Sequence, residues 1–589
     1  AVLPNSPALV HVSRKRDTLK SKRDRLLQQL HDSGVLTEME LKLAKLEPLP
    51  HSVLALPNLA PHLLTSVRQN HSPVTIKTSL DARLQSETAE ILEREGKKLA
   101  LEGVWNAAVL VIENRDLSVK AYHGNMPHEQ KERGEDVDLI MRPRSSGSIL
   151  KPLLYALMLQ AGEITPAMLV ADVPTQINGY RPENFDRSFR GAVRADEALA
   201  LSLNIPAVRL LREHGVTRFQ QQLEQMGFSS LFRPPEDYGL TLILGGAETN
   251  LWDVAQSYAQ LANISQQKGA QSTYLHASYL AETKQNKAPA ALKNAEYGPG
   301  AAYLALQAMA EVNRPGLDKH WQQFSSTKRV AWKTGTSFGL RDAWSVAVTP
   351  AYTVAVWAGN AHGHGVAGLS GTNTAAPLLF AVINRLPDSG WFQEPAEDLR
   401  SIQVCADSGY LPFADCQTAE IQLPKSAHFG KISAWHKQVN LDGSGRFRVH
   451  ADCSLMSERQ AKTYLQLPPS MAFYYRQQHP NYRDIPSWRN DCTAQNDELV
   501  MELLYPEPGA QLYLPTDLNN QEMPMIAEAA HRDADTVLYW HLDDAFLVKT
   551  KEFHTISFKA KPGKHELSIV DKDGARLTRR FEVLHKHHK

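Results

Sequence analysis

Residues 142–159 read RPRSSGSILKPLLYALML, and the seam inside this stretch sets the question for the whole chain. A run of small, turn-forming residues gives way to an apolar run with helical character. Ser148 and Lys151 stand at the junction, three apart. Serine is a favoured helix N-cap, because its hydroxyl satisfies an orphan backbone N–H. Lysine is a good helix former that ordinarily keeps its head in water. On that reading the pair is a cap followed by a surface side chain. The chemical reading starts from helix geometry. Residues i and i+3 share a face, which puts Lys151 over Ser148 within hydrogen-bond reach. A serine needs a base to become a nucleophile, and a neutral lysine can serve. Ser145 and Ser146 are rival nucleophiles, but neither has a lysine three residues on.

Two later segments bear on the choice. Ser202-Leu203-Asn204 lies inside ALALSLNIPAVRLL; alone it is a loop between helices, where Ser and Asn are common. Lys333-Thr334-Gly335-Thr336-Ser337 closes the strand-like RVAWKTGTS; alone it is a strand end with a bulge glycine. Taken together and in this order, Ser-x-x-Lys, Ser-x-Asn and Lys-Thr-Gly form the signature of penicillin-reactive serine enzymes.

Working outward, 589 residues are too many for one core, so three or more domains are expected. Lys plus Arg and Asp plus Glu both number 64, which leaves no global field suited to nucleic acid. No window approaches 18 uninterrupted apolar residues, the length expected of a membrane span. The four cysteines, Cys405, Cys416, Cys453 and Cys492, share one stretch and include no C-x-x-C pair. A zinc site would want tighter pairing, whereas an even count fits two disulfides in an oxidising compartment. Cys405–Cys416 closes a short loop around Ser408-Gly409; four reduced thiols are the alternative.

Residues 12–73 form a charged helical linker. Leucines 19, 26, 27 and 30 recur at helical spacing, Asp32-Ser33-Gly34 breaks the first helix, and Thr37-x-x-Glu40 is a capping box for a second. Arg14, Lys15, Arg16, Lys20, Lys22, Arg23 and Arg25 make a basic run, either a solvated face or one turned to anionic lipid. From 74 the pattern becomes α+β. VTIKTSLD alternates like a strand, 82–101 is helical, and NAAVLVIENRDLSVKAYHG is a hairpin turning at Asn114-Arg115-Asp116. A mainly helical region runs to about 265, DAWSVAVTPAYTVAVWAGN is β-rich, and APLLFAVINRLP is a last helix. Residues 391–497 read as a β-rich connector holding the cysteines. Residues 498–589 alternate in short strands with turns at Pro562-Gly563 and Asp573-Gly574, the pattern of a small β-sandwich. Trp540 in that segment is a core residue rather than a sugar platform. The tail from His585 to Lys589 is a frayed end rather than a metal site.

The flanking residues raise motif to family. RPRSSGSILKPLLY, YRPENFDRSFRGAVRADEALALSLNIPAVRLL, YGLTLILGGAETNLWDVAQSYAQLAN, KTGTSFGLRDAWSVAVTPAYTVAVWAGN and SGTNTAAPLLF resemble the transpeptidase domain of class A penicillin-binding proteins. AVLPNSPA, within residues 1–11, resembles the end of that family's glycosyltransferase domain. YPEPGAQLYLP, LYWHLDD and PGKHELSIVDKDG resemble the small C-terminal domain of its 1C type. The resemblance implies a multidomain α+β chain. Its centre is a penicillin-binding, serine β-lactamase-like transpeptidase domain over 74–390, an antiparallel sheet flanked by helices plus a helical body.

The resemblance also implies a chemistry, acyl transfer on peptidoglycan stem peptides ending in D-Ala-D-Ala. Ser148 is the nucleophile and Lys151 its base. Ser202 passes a proton to the leaving nitrogen, and Asn204 holds the substrate and orients Lys151. Lys333 supplies positive charge near the substrate carboxylate. Thr334, Gly335 and Ser337 line the substrate strand, and the N–H groups of Ser148 and Thr336 form an oxyanion hole. A free lysine titrates near ~10.4, so leaving Lys151 neutral at pH 7 costs about 4–5 kcal/mol, which burial and Lys333 must offset. No cofactor is implied for the transpeptidase. The implied partners are stem peptides, a lipid-linked precursor and β-lactams as covalent inhibitors, at the periplasmic face of a Gram-negative inner membrane. The 1C type adds a periplasmic protein partner such as bacterial α2-macroglobulin. The family's glycan-polymerising acids, membrane anchor and signal segment match nothing in this sequence, so polymerisation is assigned to no residue here. Two other readings remain: a D,D-carboxypeptidase or β-lactamase, with Glu248 a candidate to hold a deacylating water, and a non-catalytic wall sensor.

Overall fold

The computed structural model describes residues 15–49, 58–70, 75–127, 131–175, 177, 180–268, 271–281, 294–312, 328–492, 499–506, 509–513, 524–533, 535–551 and 554–584. The expectations for residues 1–11, for Arg14 and for the tail 585–589 lie outside them. The chain divides into two units, 1–61 and 62–589.

In the first unit, α1 (Arg16–Asp32) and α2 (Glu38–Leu46) form a helical pair. The expected capping box is present: Glu40 N–H donates to Thr37 Oγ1 at 3.3 Å and Thr37 N–H to Glu40 Oε2 at 2.8 Å. The basic run is not simply an outward face. Arg23 donates to the carbonyls of Glu47 (2.6 Å) and Lys45 (3.0 Å), and Arg16 to Leu49 O (2.9 Å). Those groups neutralise the carbonyl end of α2, where cations are favoured.

Uninterrupted apolar runs build the centre of the second unit. After α3 (Pro61–Asn70) and α4 (Ala82–Leu101) come β1 (Asn106–Glu113) and β2 (Ser118–His123), the expected hairpin. Asp81 starts α4 by accepting from the N–H groups of Arg83 and Leu84. Three further strands, β3 (Ala331–Thr336), β4 (Asp342–Val348) and β5 (Tyr352–Gly359), complete an antiparallel sheet in the order β2-β1-β5-β4-β3. Such strands are buried on both faces, which is why their sequences read as apolar runs rather than alternating ones. Leu92 of α4, Trp332 of β3 and Leu379 of α5 (Ala376–Ile383) meet in one core. The strand β3 is an edge, so its outer side is free to meet another segment.

The helical body lies between the hairpin and β3 in sequence. Its spine is α6 (Lys151–Gln160), buried around its whole girth. A ribbon of β6 (Leu169–Asp172) and β7 (Gly191–Arg194) leads into α7 (Ala195–Ala200) and α8 (Asn204–His214). Beyond them α9 (Leu251–Ser265) and α10 (Pro299–Ala310) pack on α6 and the sheet. Helix α10 leaves no periodic signal in the sequence, because a helix buried all round has no amphipathic period. The expected strand at 74–81 is corrected: its described residues, 75–81, make one isolated bridge, Thr78 to Leu280, and no ladder.

Residues 391–497 contain two ribbons, β8 (Leu399–Cys405) with β9 (Thr418–Pro424) and β10 (His436–Leu441) with β11 (Gln460–Leu465). They also contain α11 (Pro469–Gln478), which the β-rich expectation missed. Both disulfides form, Cys405–Cys416 and Cys453–Cys492, with Cα separations of 5.7 and 5.4 Å. The segment is more than a connector. Leu465, Leu467, Met471 and Ala472 pack into one cluster with Leu169, Val173 and Ala192 of the body.

The last strands form two facing sheets. One is β12 (Met501–Tyr505), β13 (Met525–His531) and β14 (Thr555–Phe558); the other holds Gln511–Tyr513, Val537–Leu542, Ala545–Lys551, Gly563–Asp571 and Arg576–Leu584. Trp540 is fully buried between them, and its Nε1–H is satisfied by Thr550 Oγ1 at 2.8 Å. Trp540→Ala is expected to destabilise this sandwich by about 3–5 kcal/mol. Calorimetry should show an earlier sandwich transition with that of the helical body unmoved.

Candidate active site

The turn before α6 is built to hold one serine in place. Ile149 N–H donates to Ser146 O (3.2 Å) and Lys151 N–H to Ser148 O (3.3 Å), so the helix proper starts at Lys151 rather than at Ser148. The buried Tyr258 hydroxyl braces the turn by donating to Ile149 O at 2.6 Å. The three serines divide cleanly. Ser145 Oγ donates to Gly245 O at 2.7 Å, and Ser146 is fully buried. Ser148 is half-buried, and among the described residues neither its N–H nor its Oγ has a hydrogen-bond partner.

Edge strand β3 lies against this turn because glycine permits it. A Cβ on Gly335 would come 2.9 Å from Ser146 O and 3.4 Å from Ser148 N. On the other side, Gly147 has φ +53° and a Cβ there would sit 2.7 Å from Thr336 N. Both contacts are shorter than packed atoms allow, so side chains at these positions would part the strand from the serine turn.

Lysines 151 and 333 converge on the loop between α7 and α8. Lys151, 4% exposed, donates to Ser202 O (2.8 Å), Leu203 O (3.1 Å) and Asn204 Oδ1 (2.7 Å). Lys333, 1% exposed, donates to Ser202 Oγ (2.7 Å) and Thr334 O (2.8 Å). Ser202 itself has φ +56°, a left-handed backbone unusual for a residue with a side chain. That conformation directs its carbonyl to one lysine and its hydroxyl to the other. Burial, and then the charge of Lys333, hold the Lys151 amine well below its ordinary range. Burial pushes Lys333 down to about 7. Three oxygens around Lys151 work against this by favouring an ammonium, which has three hydrogens to donate. Burial beside a second cation dominates, because the penalty falls on the charge itself.

The structure thus gathers Lys151, Ser202, Asn204 and Lys333 into one hydrogen-bonded cluster. It brings Ser148, Gly335 and Thr336 alongside through backbone contact. The direct Lys151–Ser148 hydrogen bond expected from helical spacing is absent, since all three bonds of the amine go to the 202–204 loop. Thr336 Oγ1 accepts from Gly371 N–H at 3.0 Å and keeps its own hydrogen to donate. Thr334 packs against Gly371, whose added Cβ would lie 2.8 Å from Thr334 Cβ. Ser337 is a correction: it is 3% exposed, and its Oγ accepts from Arg341 N–H (3.2 Å) and Asp342 N–H (2.8 Å). It closes the β3–β4 turn instead of facing a ligand. Glu248 is also committed elsewhere, its carboxylate held at 2.8 and 2.9 Å by the Arg233 guanidinium. Of metal-type ligands, His450, Cys453 and Cys492 are the grouping found among the described residues, and its two sulfurs are joined to each other.

A half-buried serine, two buried lysines and a glycine-lined strand edge together define a penicillin-binding transpeptidase domain. Residues 107–379 match the penicillin binding protein transpeptidase domain, and residues 490–581 match the Penicillin-Binding Protein C-terminus Family. The chain thus carries a penicillin-binding-protein transpeptidase domain and is similar to penicillin-binding proteins of the class A type. It is 32% identical over 386 residues to penicillin-binding protein 1C of Escherichia coli, covering 66% of this chain and 48% of that protein. It is 24% identical over 384 residues to penicillin-binding protein 1F of Bacillus subtilis, covering 61% and 52%. The chain therefore spans about half the length of these two relatives. Its fold resembles the crystal structure of penicillin-binding protein 1A from Haemophilus influenzae, with a TM-score of 0.53 at 15% identity over 73% of this chain and 86% of that one.

Folded Lys333 releases its proton near 7, whereas an unfolded lysine keeps it to about 10.5. The unfolded state therefore binds more protons across that window, and the contribution of Lys333 to stability rises with pH through it. Melting temperatures of the wild type, taken relative to Lys333→Met, are expected to climb from about pH 7 to about pH 9.5. Parallel curves would place the charge loss elsewhere.

Proposed function

We propose that this chain is an acyl-serine D,D-transpeptidase that crosslinks peptidoglycan stem peptides ending in D-Ala-D-Ala. The observation that carries the reading is the convergence of two buried, charge-starved lysines on the 202–204 loop, beside a serine whose hydroxyl is free. Lys151 gives up one of its three contacts and takes the proton of Ser148. Ser148 Oγ bonds to the penultimate D-Ala carbonyl carbon, and the developing oxyanion lies between the N–H groups of Ser148 and Thr336. Ser202, backed by Lys333, returns a proton to the nitrogen as the C–N bond breaks and D-Ala leaves. An amine of a neighbouring stem then attacks the ester, forms the crosslinking amide and restores the serine hydroxyl.

Lys333 meets the terminal carboxylate, with the Thr334 and Thr336 hydroxyls beside it. Asn204 keeps an acceptor against Lys151. Protein groups carry every step of this scheme, so no cofactor is invoked. β-Lactams enter as mimics of the dipeptide and leave Ser148 acylated. The Arg233 grip on Glu248 favours slow release of that adduct over hydrolysis, since this acid is not placed to activate a water.

We place the reaction at the periplasmic face of the inner membrane, as part of a longer bifunctional enzyme that also uses a lipid-linked precursor. Two disulfides suit such an oxidising compartment. Among the described residues no helix is long and apolar enough to cross a membrane. The C-terminal sandwich is proposed as a module for a periplasmic partner, of which the bacterial α2-macroglobulin is an example.

Ser148→Ala is expected to abolish covalent labelling by a fluorescent penicillin, and Lys151→Ala to slow acylation by about 10²–10⁴-fold. Labelling that survives Ser148→Ala would move the nucleophile. With a stem-peptide donor and an amine acceptor, mass spectrometry should find the crosslinked product. Trimmed donor alone would indicate a carboxypeptidase, rapid penicillin turnover a β-lactamase, and labelling without turnover a wall sensor.

A further inference from the structure

The stretch YRPENFD, residues 180–186, has no part in the chemistry above, yet it is tied to the site at three points. Helix α8 opens at Asn204 behind Leu203, a residue with no side chain able to cap it. The missing cap comes from twenty residues away. Asn184 Oδ1 accepts from Asn204 N–H at 2.9 Å and from Ile205 N–H at 3.3 Å. Glu183 O accepts from Asn204 Nδ2 at 2.8 Å. Asn184 is 3% exposed, and its amide nitrogen donates to Asp172 Oδ1 (2.8 Å) and Ser188 O (2.9 Å). All four hydrogen-bonding positions of this amide are therefore filled, the most an asparagine can make. Asp172, at the end of β6, is fully buried, and its second oxygen accepts from Arg190 N–H at 3.0 Å.

These bonds have a direction. An ionised carboxylate only accepts, so Asp172 fixes the nitrogen of the Asn184 amide toward itself and the oxygen toward α8. A carbonyl also only accepts, so Glu183 O fixes Asn204 Nδ2 toward the loop. Asn204 Oδ1 then has one way left to point, at Lys151. Reversed, the Asn204 amide would aim an N–H at Lys151, where it would repel an ammonium or occupy the lone pair that the neutral amine needs for the Ser148 proton.

We propose that Asn184, held by Asp172, is a positioning residue for acylation: it sets the Ser202–Asn204 loop and the orientation of the Asn204 amide, and through them the base Lys151. This inference rests on the functional reading above and extends it to residues that touch no substrate.

The experiment measures penicillin binding (Kd) and the first-order acylation step (k2) separately, by stopped flow on the whole chain. Asn184→Asp places a second carboxylate against Asp172; Asn184→Ala removes the bonds without adding repulsion. Each is expected to lower k2 by about 10- to 100-fold, the scale of a misplaced catalytic group, with Kd within about twofold of wild type. The exchange Asp172→Asn with Asn184→Asp restores the bond between the two side chains but leaves Ser188 O facing a carboxylate oxygen, and should recover part of the loss, raising k2 at least about threefold above Asn184→Asp alone. A merely structural role would lower melting temperature and active fraction without splitting k2 from Kd.

If Asn184→Asp does not fold, Asn184→Ala and the exchange decide. Wild-type k2 in folded Asn184→Ala, a loss confined to Kd, or an exchange variant no faster than the folded single variants would overturn the inference. A wild-type chain that forms no penicillin adduct at Ser148 would overturn the functional reading itself, which a normal adduct with unaffected variants would leave standing.

Discussion

Two amines cannot both stay charged in one dry pocket, and the transpeptidase domain is organised around that constraint. Lys151 and Lys333 come from elements far apart in sequence, a helix and an edge strand, and meet at one loop. Taking either out of water penalises its charge, and the second charge raises the penalty for the first. The surrounding fold maintains this condition. Helix α6 is buried all round, so Lys151 has no route to solvent, and the apolar strand β4 beside β3, with α10 packed on β3, does the same for Lys333. The loop supplies carbonyl, hydroxyl and amide oxygens in place of water. An amine in such a setting can exchange a proton with a serine without first being stripped of bulk solvent, the condition that separates a base from a surface lysine.

Sterics complete what electrostatics begins. The serine turn, the edge strand and the segment at Gly371 approach more closely than side chains would permit, and a glycine stands at each contact. Gly147 meets Thr336, Gly335 meets Ser146, and an added Cβ on Gly371 would come 2.8 Å from Gly335 O. An edge strand ordinarily presents unpaired backbone groups to solvent. Here that edge is drawn against the turn, which brings the Thr336 N–H near the unpartnered N–H of Ser148. The glycine of the Lys-Thr-Gly motif is thus a requirement of distance.

Local signals were legible in the sequence; signals made by distant closure were not. Ser148, Lys151, Ser202, Asn204 and Lys333 could be named from ordered motifs, because each motif is short and its partners are implied by family resemblance. The capping box at Thr37 and the hairpin at 106–123 depend on residues a few positions apart, and both were readable. Ser337 was misjudged because its fate is decided by hairpin closure, which aims the Asp342 N–H at its hydroxyl. The Lys151–Ser148 bond was over-read from helical spacing, because three competing oxygens arrive from a loop that spacing cannot foresee. Asn184 was invisible for the same reason. Its one trace was negative: α8 begins behind a leucine, and a buried helix start without a local cap implies one brought from elsewhere.

The cysteine-bearing segment gains a structural meaning from that cap. Asp172 ends β6, and β6 with β7 forms a two-stranded ribbon that could not hold its shape alone. What covers the ribbon is the disulfide-closed segment. Leu169 N–H donates to Ser408 O at 2.9 Å within the loop that Cys405–Cys416 closes, and α11 packs so tightly on β7 that any side chain at Gly191 would collide with its backbone. Met471 and Leu467 fill the apolar space between them. Contacts therefore run without a break from the disulfide loop through the ribbon to Asp172, Asn184, Asn204 and Lys151. In physical terms the segment after residue 390 is the outer wall of the platform on which Lys151 is held. A domain boundary drawn at 390 divides the sequence by pattern, but the packed unit that serves the site crosses it.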